Sequence, residues 1–372
     1  MEKYTNTGIQ TPYYIVDENL LKKNLEKVVT LKERTGCKVL FAQKAFSMFS
    51  VYHVISEYLD GTCASGIYEA KLAHEHFGKE NHIYAPAYKP EELEEALEIC
   101  QHIIFNNLGQ YERFKHLLDG KTVGIRVNPE HSTTKNPQYD PCIPQSRLGT
   151  KISDFPDELP EGISGLHSHT LCQQNSDDLE STFYALEAKF GKYLHKLDWI
   201  NLGGGHMITW PHYDLDRLVN LVNYIKKTYN VQVYLEPGES IAYNTGFLVT
   251  SVLDIHNGNV IMDASGSCHM PDCLSAPYKP DIIGAGLPNE KAYTYRLGGP
   301  TCLAGDNMYE YSFDTELKIG SKIVFEDMAH YTMVKNNTFN GIPLPAIAKV
   351  NLNGEVELVK TFDYSDFKNR LS

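Results

Sequence analysis

The chemistry of this sequence collects in a few short motifs. Lys44 closes the run Lys38-Val39-Leu40-Phe41-Ala42-Gln43-Lys44, an apolar strand that ends in one amine. A Lys pointing from a strand end into a barrel mouth is partly removed from water. That favours the neutral amine, a nucleophile able to form a Schiff base with a carbonyl. Leu202-Gly203-Gly204-Gly205 supplies a backbone that turns tightly and approaches an anion with no side chain in the way. Glu236-Pro237-Gly238 places a carboxylate at another strand end, where it suits a protonated heteroaromatic nitrogen. His167-Ser168-His169 sets two imidazoles two residues apart, on one face of a strand. That spacing serves either to hold a metal ion or to lay one ring flat against a planar ligand, and both readings stand. Gly299-Pro300-Thr301-Cys302 and Asp306 offer a thiol that returns a proton to a carbanion and an acid that binds an amine. The run Phe325 to Tyr331 ends in a phenol able to bond a phosphate. Taken singly, each has a plainer reading: a Lys facing solvent, a tight turn, a satisfied core histidine, a buried inert cysteine. Their recurrence at matching strand ends is what argues for one site.

Strand ends need strands. Short apolar runs at 38–43, 61–64, 82–85, 102–106, 122–127, 162–167, 198–202 and 231–235 alternate with helical stretches such as 67–77, 90–100, 177–194 and 215–229. Strands alternating with helices argue a parallel sheet, and eight such units argue a closed (β/α)8 barrel of the α/β class. The triple glycine then follows the seventh strand and Glu236 the eighth, where barrels often bind phosphate. Near Thr245 the pattern changes. The runs 247–255, 260–263, 322–326 and 346–351 lack long intervening helices and read as a mostly antiparallel β domain, which the opening run 11–16 would join. The expected division is a barrel over residues 17–245 and a β domain over 1–16 and 246–372.

Composition narrows the class. The chain has 372 residues, 42% of them hydrophobic and 22% charged, as expected of a soluble globular protein. No apolar run is long enough for a transmembrane helix, and the N-terminus lacks the apolar stretch of a signal peptide. The 8 cysteines are scattered, which favours reduced thiols in a cytoplasm over a disulfide framework. A net charge of -13 argues against nucleic acid partners and is compatible with a cationic small substrate, and without a spanning run no membrane partner is expected.

Together the anchors Phe41-Ala42-Gln43-Lys44-Ala45, Leu166-His167-Ser168-His169, Gly203-Gly204-Gly205, Glu236-Pro237-Gly238-Glu239, His269-Met270-Pro271-Asp272, Gly299-Pro300-Thr301-Cys302, Tyr331 and Phe339-Asn340-Gly341 carry a resemblance. Over nearly its whole length the chain resembles the pyridoxal-phosphate decarboxylases of the alanine racemase-like fold. The resemblance implies a barrel plus a β domain, and a head-to-tail homodimer in which each site lies between the barrel of one chain and the β domain of the other. It implies that Lys44 binds pyridoxal 5'-phosphate through its amine, that His169 stacks on the ring and that Glu236 pairs with the ring nitrogen. Gly203, Gly204, Gly205 and Tyr331 would hold the phosphate, with Arg147 helping to seat the cofactor. Cys302 would act across the dimer as proton donor.

Three positions depart from the family pattern. Glu239 stands where relatives acting on amino acids often carry Arg, and Leu303 stands where ornithine-type enzymes have an acid. Thr62 replaces an Asp that contacts the catalytic Lys. Recognition of distal amines therefore shifts to Asp272, Asp306 and Glu239, and the expected substrate is a long carboxylated triamine. The alternatives are a basic amino acid or diaminopimelate as substrate, racemisation on the same fold, a metal-dependent hydrolase using His167 and His169, and a regulator that binds without turnover.

Overall fold

The computed structural model describes residues 1–372. In chain order the strands are β1 (Tyr13–Asp17), β2 (Lys38–Ala42), β3 (Gly61–Ala64), β4 (Glu80–Tyr84), β5 (His102–Phe105), β6 (Thr122–Arg126), β7 (Ile163–His167), β8 (Trp199–Asn201), β9 (Gln232–Leu235), β10 (Gly246–His256), β11 (Asn259–Met262), β12 (Tyr293–Gly298), β13 (Asn307–Phe313), β14 (Lys322–Phe325), β15 (Ala346–Val350) and β16 (Val356–Lys360). They fall in two compact units, residues 22–241 and residues 1–21 with 242–372.

In the first unit β2 to β9 close into a parallel barrel, β2 returning to β9 through Lys38–Tyr234 and Val39–Leu235. The strands are buried on both faces, which is why they read as apolar runs without alternation. The helix Ser176–Leu194 begins at a capping box of Asn175 and Asp178 and buries one stripe: Leu179, Phe183, Leu186, Phe190 and Leu194. The helix Leu215–Tyr229 starts where Asp214 accepts from Arg217 N–H at 3.0 Å and stops at left-handed Asn230. Inside the barrel Trp199 lies against Gly165, where an added Cβ would fall 2.0 Å from the indole. Only glycine admits so large a filler there.

In the second unit eight strands form one sheet, ordered β13-β12-β11-β10-β1-β15-β16 with β14 also on β10. The β1–β15 and β11–β12 pairs are parallel and the other pairs antiparallel. Period-two alternation feeds two cores. Tyr14, Leu248, Ile323 and Phe325 point to one, and Tyr13, Ile15, Phe247, Val249 and Val324 to the other. Strands β12, β13 and β16 were not among the runs read from sequence. Their residues are mixed and partly exposed, so they lack an apolar signature. No helix is long and apolar enough to cross a membrane, and all eight cysteines are free.

Candidate active site

The barrel mouth is built from the C-terminal ends of its strands. Lys44 stands two residues beyond β2, and its Nζ lies 3.2 Å from His169 Nε2. The Lys44 side chain is exposed at the mouth. His169 stands two residues beyond β7, and its Nδ1 accepts the N–H of Gly204 at 3.2 Å. That bond assigns the ring proton of neutral His169 to Nε2, facing Lys44. Burial, then the charges of Lys44 and Arg126, hold the His169 pKa well below the usual imidazole range. The ring is therefore neutral at physiological pH.

Glu236 follows β9 directly. Its Oε1 accepts from Asn201 Nδ2 at 2.7 Å and its Oε2 from His167 Nε2 at 3.1 Å. Burial disfavours its charge, but His167 and Asn201 outweigh burial and lower its pKa to about 2. Burial also lowers the pKa of His167, against the pull of Glu236. The pair is thus a neutral imidazole donating to a carboxylate, with His167 Nδ1 buried and unpartnered. The ring of His167 stacks on Tyr84 at 5.3 Å, and the Arg126 guanidinium lies 4.6 Å from the centre of the Tyr84 ring. Arg126 in turn donates to His169 O at 3.0 Å, fixing the backbone of the residue that faces Lys44.

The glycine loop lies between these groups. Gly203 (φ +70) donates to Asn201 Oδ1 at 2.8 Å, and a Cβ on it would meet His169 at 2.7 Å. Gly205 (φ +84) would set a Cβ 2.0 Å from Leu171 O. The N–H groups of Gly205 and His206 bond nothing in the protein, which leaves two donors for an anion. An exposed amine, a carboxylate held ionised, a neutral ring and a glycine turn with spare donors together fit pyridoxal phosphate. The residues that would hold it are Lys44, Glu236, His169 and Gly203 to Gly205.

The other expected residues are placed differently. Glu239 accepts from Gln173 Nε2 at 2.5 Å, beside the same mouth. Arg147 is exposed on the loop after β6, its carbonyl bonded by Asn106 at 2.8 Å. In the sheet unit Cys302 is exposed, and Tyr331 is half-buried at φ +51 with Lys335 over its ring at 5.1 Å. Asp272 is already paired with Lys335 Nζ at 2.8 and 2.7 Å. Asp306 is 4% exposed and committed to Ser265, Ser267 and Thr301. A carboxylate so engaged organises its own loop rather than presenting itself to an amine.

His167 and His169 do not converge on a shared point, since one bonds Glu236 and the other faces Lys44. Potential metal ligands gather instead at Glu80, His82 and His102, within 4.8 Å of one another. Lys38 already bonds Glu80 there. Sequence reading missed Asn201, Tyr84 and Arg126. Asking of every strand, rather than only the motif-bearing ones, which polar residue stands at its C-terminal end would have found all three.

An eight-stranded parallel barrel with a lysine, an ionised glutamate and a glycine turn at its mouth, joined in sequence to an open mixed sheet, defines a pyridoxal-dependent decarboxylase. The family described as "Pyridoxal-dependent decarboxylase, C-terminal sheet domain" matches residues 13–329, and the chain belongs to it. It is 42% identical, over 97% of its length and 98% of the relative's, to a carboxynorspermidine/carboxyspermidine decarboxylase of Campylobacter jejuni. It is 41% identical, over 98% and 96%, to a carboxyaminopropylagmatine decarboxylase of Synechocystis. A crystal structure of carboxynorspermidine decarboxylase from Campylobacter jejuni, complexed with norspermidine, superposes with a TM-score of 0.92 over 97% of this chain and 100% of that one, at 41% identity.

Proposed function

We propose that this enzyme decarboxylates carboxynorspermidine, carboxyspermidine or both, releasing carbon dioxide and the corresponding triamine. The observation that carries the chemistry is Glu236, kept ionised by His167 and Asn201 in the same mouth as Lys44. The substrate follows from near full-length similarity to enzymes named for these polyamines, and a chain charge of -13 suits a polycation.

Each residue then has a task. Pyridoxal phosphate, when bound, supplies an electron sink for the pair released with carbon dioxide. Lys44 would hold the cofactor through its amine, the one nucleophile at the mouth placed to do so. Glu236 would keep a proton on the ring nitrogen. His169 would lie against the ring, and its lowered basicity keeps it from taking that proton. The N–H groups of the glycine turn take the phosphate, with Tyr331 and Arg147 as further partners. Cys302 delivers a proton to the substrate's α-carbon. In this reading the working unit is a homodimer, and Cys302 and Tyr331 act on the barrel of the partner.

The Synechocystis relative favours a second reading, in which the substrate ends in a guanidinium. The test is decarboxylation by the purified, cofactor-loaded enzyme with products identified by mass. Carboxynorspermidine, carboxyspermidine, carboxyaminopropylagmatine, ornithine, arginine, lysine and diaminopimelate are compared. Turnover confined to the first two is expected. Both should react, since one methylene separates them by only ~1–3 kcal/mol. Preference for the guanidinium substrate would establish the second reading, and turnover of a simple amino acid alone would overturn both.

A further inference from the structure

Cys302 is exposed, yet the turn that carries it is fixed from two sides. On one side Asp306 accepts from Thr301 Oγ1 at 2.7 Å, Ser265 Oγ at 2.8 Å and Ser267 N–H at 3.1 Å. The Asp306 N–H closes the turn on Leu303 O at 3.0 Å. On the other side the Asn340 side chain reaches across 38 residues of sequence, and its Oδ1 accepts the N–H of Cys302 itself at 2.8 Å.

Asn340 holds φ +57 and ψ 13, the left-handed region that Asn visits more readily than other side-chain-bearing residues, and Gly341 follows at φ +73. The turn is anchored in its own right. Phe339 N–H donates to Asn337 Oδ1 at 2.9 Å, and Asn337 Nδ2 donates to Ser267 O at 2.9 Å. Ser267 therefore serves both arms, its N–H bonding Asp306 and its carbonyl Asn337. A bond on the peptide N–H of Cys302 fixes the plane from which Cα–Cβ departs. For an exposed side chain, that backbone bond is the means of aiming the thiol.

We infer that Asn340 is a positioning residue for proton return: its amide oxygen aims Cys302 at the substrate's α-carbon. The inference rests on Cys302 being the proton donor. The Phe339-Asn340-Gly341 motif then has a mechanical reason: Asn combines a left-handed backbone with an acceptor, whereas Gly supplies the backbone alone.

The test is a double-mutant cycle on the holoenzyme, with Asn340→Gly and Asn340→Asp each placed in the native and Cys302→Ala backgrounds. Asn340→Gly keeps the left-handed backbone and removes the acceptor, and Asn340→Asp keeps an acceptor. The glycine variant should lose ~10- to 100-fold in kcat, with KM and the cofactor's visible absorbance unchanged within about twofold. Asn340→Asp should recover most of the rate, and Asn340→Gly should add no loss once Cys302 is Ala. An unchanged kcat in Asn340→Gly, or an equal loss in both backgrounds, overturns the inference. A Cys302→Ala enzyme with native rate and product overturns the assignment of the proton donor, and the inference with it. If the glycine variant melts early, Asn340→Ser, one atom too short to reach, replaces it in the cycle.

Discussion

The two ends of the barrel carry the same kinds of residue in opposite circumstances. At the C-terminal mouth Glu236 meets His167 at 3.1 Å, and at the N-terminal end Glu80 meets His82 at 3.2 Å. Burial opposes the charge of both carboxylates, and in both the bonding partners win and hold the pKa at about 2. The difference lies in what surrounds each pair. Lys38, the first residue of β2, bonds Glu80 directly, and Tyr234 Oη donates to the same carboxylate at 3.3 Å. His82 is covered by His102, stacked at 3.9 Å and 10°, and Trp199 closes over His102 at 5.0 Å. At that end the charges cancel inside a packed plug. At the mouth the second partner of Glu236 is the neutral Asn201. The lysine of that end, Lys44, faces a neutral imidazole and stays exposed. A His–Glu pair therefore marks function through what stays open and unneutralised beside it, in keeping with chemistry at the C-terminal face of such barrels and stability at the other.

The sharpest way to break this comparison is at Lys44. Lys44→Ala should lower turnover on the order of 10³-fold or more, because the covalent step disappears. Its melting temperature without cofactor should match the native enzyme, since an exposed side chain is removed. Native-like turnover would refute the mouth as the site. Glu236→Gln comes next. The amide keeps the shape and the Asn201 and His167 neighbours but cannot sustain a proton on the ring nitrogen. A fall of roughly 10²-fold in kcat is expected, with cofactor still bound as judged by visible absorbance. A Glu236→Gln enzyme that turned over normally would give Glu236 the same structural status as Glu80.

The mouth was legible in sequence for a physical reason. Lys44, His169, the glycine turn and Glu236 each follow an apolar strand, and a strand end is where a buried element meets solvent. The N-terminal end was not legible. The run Lys79-Glu80-Asn81-His82 is polar, so the sequence reading began that strand at His82 and left Glu80 outside it. Glu80 is half-buried beside Lys38, which reaches it from two strands away in a pairing that no local sequence pattern records. Asp306 is the converse case. An acid near a reactive cysteine reads as a ligand for an amine, and only its three internal donors reveal a structural role. Strands β12, β13 and β16 escaped for want of an apolar signature, since sheet edges and half-exposed faces tolerate mixed residues.

Smaller effects belong to the plug. Glu80→Ala would strip the acceptor from Lys38, from His82 Nε2 and from Tyr234 Oη together. A loss of ~1–3 kcal/mol in stability is expected, read by chemical denaturation, while kcat/KM stays native. A kinetic defect without a stability defect would mean that the two ends are coupled.

The last contrast is in pH. Burial, then the neighbouring His82, lowers the His102 pKa to about 3. An unfolded histidine titrates near pH 6.5, so below that pH the unfolded chain binds a proton that the folded ring refuses. Stability must then fall as pH drops from about 6.5 towards 3, by about 1.4 kcal/mol per pH unit for each such proton. His206 and His269, both buried and lowered to about 4, act in the same direction. His102→Asn removes one of these protons, so its stability should fall with acid less steeply by up to that slope while matching the slope of the native enzyme above pH 7. The measurement is a set of denaturant midpoints between pH 4 and 8. Parallel curves for native and variant would show that His102 charges inside the folded barrel, and that the plug is wetter than its packing requires.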